Sequence, residues 1–268
     1  MKKLFGLTLA ATILLGCLSI GTFAASDAVK VGTPTVDGKM DAIYEDSFSL
    51  ALGEGANAHT NAAAKLWDGS ATGRVYFLYD DTNLYICAVV SDNDVLTKGE
   101  EFAKGTNPYQ NDNVEFRLCL DNETTVKVGI DAYGYACYGN TADYDMIDYN
   151  EIKYATTYTD NGYVLECAVP CTKGRLDMKS SGKMGFKYQF NDLNADGQTA
   201  FFAPDYAGEG PKGIVFYEIS TEKAVAPTSG TTAPAGVTTA PNTFDPAIIA
   251  VALTAASGAA FVLASKKH

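Results

Sequence analysis

From Val114 to Leu120 an apolar side chain stands at every second residue, with Val114, Phe116, Leu118 and Leu120 alternating against Glu115, Arg117 and Cys119. A repeat of two residues puts all four apolar groups on one side of an extended chain, so this segment is a strand with one face in a core. Just upstream, Tyr109, Gln110, Asn111, Asp112 and Asn113 set an aromatic ring among hydrogen-bonding groups. A ring beside carboxylates and amides suits a sugar, whose C–H face is apolar and whose rim is hydroxyl. The same pattern also describes an ordinary antiparallel strand with a solvated back.

The rest of the central chain repeats this rhythm. Val75, Phe77 and Tyr79 alternate, as do Leu84, Ile86, Ala88 and Val90, and Asp80-Asp81-Thr82-Asn83 between them carries turn chemistry. Further strands are expected over 126–132, 135–138, 152–157, 163–169, 184–191 and 214–219, with a strand and turn over 31–41 and a short helix over 41–48. Short strands, regular turns and few helical periods predict an all-β fold, an antiparallel β-sandwich of jelly-roll or immunoglobulin-like form over residues 29–220.

Both ends differ from this body. Residues 1–25 carry two lysines, an apolar run and small residues, which predicts a secretory signal peptide, with lipidation of Cys17 as the competing reading. Residues 221–245 are rich in Pro, Thr and Ala, a spacer without core-forming side chains. Residues 246–265 are apolar enough to span a bilayer, and Lys266-Lys267-His268 would remain cytoplasmic. Export with a single-pass anchor on the extracellular face of the membrane is expected. Pro241-Asn242-Thr243 echoes a Gram-positive wall-sorting signal, although Ala240 and Phe244 stand where that signal has leucine and glycine.

Charge narrows the partners. The ends hold four lysines and no acid, so the remaining 16 Lys and Arg face 32 Asp and Glu, a net −16. Such a surface repels phosphate backbones, which argues against nucleic acid. Five cysteines remain beyond the leader, an odd number without any CxxC, and most are expected to be reduced strand residues; Cys167 and Cys171 alone stand close enough to close a small loop. Asp192-Leu193-Asn194-Ala195-Asp196-Gly197 places oxygen ligands at alternate positions before a glycine, like the first half of a calcium loop, but Ala203 stands where the closing glutamate belongs. Asp192, Asn194 and Asp196 therefore either await ligands from another segment or form a plain polar turn.

Five motifs occur in a fixed order: Val36-Asp37-Gly38-Lys39-Met40-Asp41, Asp80-Asp81-Thr82-Asn83-Leu84-Tyr85, Asn111-Asp112-Asn113-Val114-Glu115, Gly162-Tyr163-Val164-Leu165-Glu166 and Gly185-Phe186-Lys187-Tyr188-Gln189-Phe190-Asn191-Asp192. In this the chain resembles carbohydrate-binding module family 9. The resemblance implies a β-sandwich that grips a glycan end or a small sugar, contains structural calcium, has no catalysis of its own, and works beside glycoside hydrolases. On the matching positions Asp92, Glu115, Gln189 and Asn191 would bind hydroxyls, and Tyr109 stands near one of two sugar-sandwiching tryptophans. The second tryptophan has no counterpart, with Phe202 and Tyr206 in its region, and the family's binding arginine falls at Gly129. The function expected is a surface module that holds poly- or oligosaccharide for separate enzymes. The alternatives are an adhesion domain without a sugar ligand, and a glycosidase that pairs Glu115 with Asp92 or Asp112.

Overall fold

The computed structural model describes residues 26–53, 71–105, 107–119, 125–139, 147–173, 176–178, 182–202 and 214–226. The expected leader, most of the spacer and the membrane span lie outside these residues, as do His59, Trp67 and Tyr206. Among the described residues no helix is long and apolar enough to cross a membrane.

The alternating segments form strands. The first five are β1 (Ala28–Val31), β2 (Ser49–Leu52), β3 (Thr72–Tyr79), β4 (Asn83–Ser91) and β5 (Asn113–Cys119). Next come β6 (Val126–Asp131), β7 (Cys137–Tyr138), β8 (Lys153–Thr159), β9 (Gly162–Pro170), β10 (Thr172–Lys173) and β11 (Leu176–Asp177). The last three are β12 (Lys183–Leu193), β13 (Thr199–Phe202) and β14 (Val215–Lys223). Among the described residues helix is confined to short segments at Ala42–Asp46, Glu100–Ala103 and Pro108–Gln110. The β3–β4 hairpin turns where its acidic tetrad predicts, because the Asp80 carboxylate accepts the backbone N–H groups of Thr82 and Asn83 at 2.8 and 2.9 Å.

One continuous sheet runs in the order β7-β6-β5-β12-β14-β1-β3-β4-β9-β8, with β13 on β12 and β2 on β3. It folds over so that its two halves share a core. Phe77 of β3 meets Phe186 of β12 edge-on with ring centroids 4.5 Å apart, although two strands separate them in the sheet. Tyr188 of β12 donates its hydroxyl to the Ala51 carbonyl of β2 across the same gap, at 2.8 Å. The inward row of β5 (Val114, Phe116, Leu118) joins Val75, Phe77, Ile86, Leu165, Phe186 and Phe190 in one buried cluster. Each such side chain stabilises the fold by roughly 1.5–3 kcal/mol through removal from water.

The expected sandwich is thus present, with one correction: pairing is mixed, because β1 lies parallel to both β14 and β3. The strand expected over 31–41 is displaced as well. It ends at Val31, and the residues that follow cross the outer face of β4 and β9, where Val36, Met40, Ile43 and Tyr44 cover Leu78, Tyr85, Cys87 and Ala168. Glu166 secures this arm from β9: its Oε2 accepts N–H bonds from Asp37, Gly38 and Lys39 at 3.0, 2.9 and 3.1 Å. Two of the five sequence motifs therefore meet in space. No disulfide joins Cys167 to Cys171, so the 167–171 loop is not closed.

Candidate functional site

The outward row of β5 is as buried as its inward row, since Asn113, Glu115 and Arg117 are all at most 1 % exposed. The register explains why. Asn113 stands between Asp131 of β6 and Asn191 of β12, Glu115 between Gly129 and Gln189, and Arg117 between Lys127 and Lys187. Three strands thus contribute a polar strip in which charges neutralise one another. Glu115 accepts from the Arg117 guanidinium at 3.4 Å and lies 3.3 Å from the Lys127 ammonium, while the Tyr138 hydroxyl donates to its other oxygen at 3.0 Å. A buried carboxylate persists only with partners of this kind. A chain of amides continues the strip, with Gln189 donating to Asn191 at 2.8 Å and Asn191 donating to Asn113 at 2.6 Å.

Gly129 is the position where the resemblance puts an arginine, and the structure shows what replaces it. A Cβ there would lie 2.3 Å from Cζ of Tyr138, so the ring of β7 occupies the space a side chain at 129 would need. Burial, and then the charge of Glu115, holds the Tyr138 hydroxyl well above the usual phenol range and keeps it a donor. Arg117 and Lys127 supply the positive charge from neighbouring positions. Neither was singled out by sequence reasoning, although their places on adjacent outward rows are visible in the alternation.

The aromatic edge lies at the Asn113 end. Tyr109 sits in the 3-10 turn before β5, and its ring is 5.9 Å from that of Phe201. Phe201 pairs with Asn191 and shares its outward face, whereas Phe202 pairs with Phe190 and points into the core, stacked 6.2 Å from Tyr188. Phe202, expected in the region of the second sugar-facing ring, thus lies in the core, and Phe201 is the ring on the strip's face, because successive strand residues face opposite sides.

Asp92 and Asp112 are not on the strip. They meet Asp192 in a separate buried group whose carboxylate oxygens lie within 4.8 Å of one another. Asp92 follows β4, Asp112 precedes β5 and Asp192 ends β12, so three strand termini converge at one end of the sandwich. Asp112 accepts the backbone N–H groups of Leu96 and Leu193, which fixes its orientation, and burial pushes its carboxyl up to about 9. Burial raises Asp92 too. The Tyr163 hydroxyl is buried without a hydrogen-bond partner, and Asp112 and Asp92 are the charges that act on it most. Asn194 and Asp196 do not join this group. They belong to the β12–β13 turn, where Gly197 donates to the Asn194 carbonyl at 2.8 Å and Gln198 to the Asp196 carboxylate at 3.0 Å. Three hard oxygen donors crowded in a buried place fit a divalent cation such as calcium, which offsets their mutual repulsion.

Comparison with known proteins identifies the fold and the family. The described fold superposes on a carbohydrate binding module family 9 from Caldicellulosiruptor kristjanssonii in complex with cellotriose, with a TM-score of 0.55 and 19% identity over 75% of this chain and 97% of that one. A glucose complex of a family 9 module from the same organism gives 0.52 at 19% identity over 74% and 97%. In sequence the chain is 30% identical over 169 residues to "Exoglucanase XynX" of Acetivibrio thermocellus, covering 62% of this chain and 14% of that protein. It is 29% identical over 203 residues to "Endo-1,4-beta-xylanase C" of Paenibacillus barcinonensis, covering 75% and 16%. The chain thus spans about one seventh of the length of these enzymes. Residues 36–203 match the family described as "Carbohydrate family 9 binding domain-like", and the chain belongs to that family of non-catalytic sugar-binding modules.

Proposed function

We propose that the protein displays a sugar-binding module on the outer face of a cell membrane, where it holds a neutral poly- or oligosaccharide close to separate glycoside hydrolases. The observation that carries the reading is the strip on β6, β5 and β12. The charge of its Glu115 is already matched by Arg117 and Lys127, with the Tyr138 hydroxyl as a further donor, and its partly exposed members are Gln189, Tyr138, Lys127 and, at the end, Tyr109. Amide and hydroxyl groups held by such a network are pre-ordered to exchange hydrogen bonds with sugar hydroxyls, and the half-buried Tyr109 ring, backed by the buried Phe201, offers an apolar face. The Caldicellulosiruptor neighbours hold cellotriose and glucose, which makes β-glucan ends the first ligands to try. The apolar segments at 1–25 and 246–265 support export and anchoring. Weak single-site binding suits a surface protein, because many copies on one cell act together.

Calcium belongs to the proposal as a structural ion held by Asp92, Asp112 and Asp192. When bound it contributes charge neutralisation between strand ends and takes no part in chemistry.

Calorimetric titration of the purified protein with glucose, cellotriose and xylo-oligosaccharides tests the reading. Millimolar to micromolar binding is expected, weakened about tenfold in Gln189→Ala through loss of one hydrogen-bonding group worth about 1–1.5 kcal/mol. Absence of any response with calcium present leaves an adhesion domain as the better description.

A further inference from the structure

Beyond Asp131, where the strip ends on β6, the turn between β6 and β7 and the hairpin between β8 and β9 approach the loop after β4. Tyr133, Tyr135 and Tyr158 pack there in series. The rings of Tyr133 and Tyr135 are stacked, with centroids 5.7 Å apart and planes 15° apart, and the Tyr158 ring lies 4.2 Å from that of Tyr133, tilted by 46°. The row is built into the backbone. Tyr133 donates its hydroxyl to the Val95 carbonyl at 2.8 Å and its N–H bonds to Asp131 at 2.9 Å. Gly134, between the first two tyrosines, has a φ of +71°, and a Cβ on it would lie 2.8 Å from the Thr156 hydroxyl, so both conformation and space demand glycine.

Beside this row is an open cleft of about 280 Å³, bounded by Asn93, Asp94, Tyr133, Tyr158 and Asp160, near the lower end of the range for small-ligand sites. Tyr158 is 52 % exposed, an unusual position for a ring that packing could have covered. Among the described residues the side chains of Asn93, Asp94 and Asp160 and the Tyr158 hydroxyl have no hydrogen-bond partner, in contrast to Glu115, whose oxygens are engaged.

We infer that this tyrosine ledge is a second saccharide site, which takes internal units of a neutral, extended polysaccharide: a pyranose C–H face lies on the exposed ring of Tyr158, which Tyr133 backs, and Asn93, Asp94 and Asp160 receive the hydroxyls. Ring spacing selects this ligand class. A cage for a quaternary ammonium needs a gap between rings that the cation can enter, and here the rings touch one another at 4.2 and 5.7 Å, leaving a surface. The free carboxylates of Asp94 and Asp160 disfavour uronic acids. An open cleft admits a chain that continues at both ends. The inference rests on the reading that the molecule binds saccharide, but uses none of the residues of the β5 strip.

Affinity electrophoresis of the full-length protein through gels containing mixed-linkage glucan, xylan or galactomannan, run alongside cellotriose titration, tests it. Tyr158→Ala is expected to weaken polysaccharide binding about tenfold, the upper range for one aromatic contact, and to leave cellotriose binding unchanged. Tyr158→Phe keeps the ring and retains most of the retardation. The double variant Asp94→Ala/Asp160→Ala, at surface positions whose loss spares the fold, weakens it severalfold. Polysaccharide retardation identical in Tyr158→Ala and the native chain overturns the inference, and so does choline binding that depends on Tyr158 without any response to glycan. Failure of the β5 strip looks different: cellotriose is then ignored by the native protein while retardation still depends on Tyr158, which supports the ledge. No glycan retained at all overturns both.

Discussion

Phe201 and Phe202 are chemically identical neighbours with opposite duties. Phe202 is 1 % exposed and stacks on Tyr188 in the core, so Phe202→Ala is expected to cost about 3–5 kcal/mol in urea unfolding through the cavity it leaves. Phe201→Ala, on the outward face beside Tyr109, is expected to lose less stability and more sugar affinity. Equal stability losses with no change in binding would mean that the strip is not a ligand site. The sequence could not separate the two, because alternation in the four-residue β13 has too short a run to set its phase. Once the Asn191 pairing is known, only one assignment remains. Gly129 was legible as a departure but not as a fit, since Tyr138 lies nine residues away and meets it only through the pairing of β6 with β7.

Among the elements, the arm after β1 depends on one carboxylate. Glu166 is fully buried, and burial raises its carboxyl above the ordinary glutamate value of 4.5 despite the three opposing backbone N–H bonds. The native state therefore holds this proton more tightly than the unfolded chain, so the associated stability is fully present below about pH 4.5 and is lost as pH rises through the raised value. Glu166→Gln removes the titration. The unfolding free energy of the native chain relative to the variant is expected to fall as pH rises from about 4.5 through the raised value in a denaturation series, and a rising difference would mean that the N–H bonds outweigh burial. Both partner motifs were visible in the sequence, but their contact spans 129 residues and no local pattern encodes it. The strands themselves were readable, because period-2 alternation is local; the parallel insertion of β1 was not, because its partners β14 and β3 lie far apart in the chain.

At the scale of the whole molecule, Asp92, Asp112 and Asp192 lie where three strand ends meet across the folded-over sheet. With calcium about a hundredfold above its dissociation constant, the folded form gains about 2.7 kcal/mol, which raises the melting midpoint by about 5–10 °C for a chain of this size. Differential scanning calorimetry with calcium and with chelator reads this directly, and coincident midpoints would sink the site. Sequence alone drew attention to Asp192 but grouped it with Asn194 and Asp196, since ligand spacing along the chain was the available clue; the true neighbours come from β4 and β5. What the amino-acid sequence determined by itself was the all-β body, most of its strands and the family motifs, since side-chain alternation and turn chemistry act within a few residues. Tertiary structure alone decided which acids share a site, which phenylalanine lies on the strip's face and that two tyrosines of the β6–β7 turn and one of β8 form one ledge, because those facts depend on register and packing between strands distant in the chain.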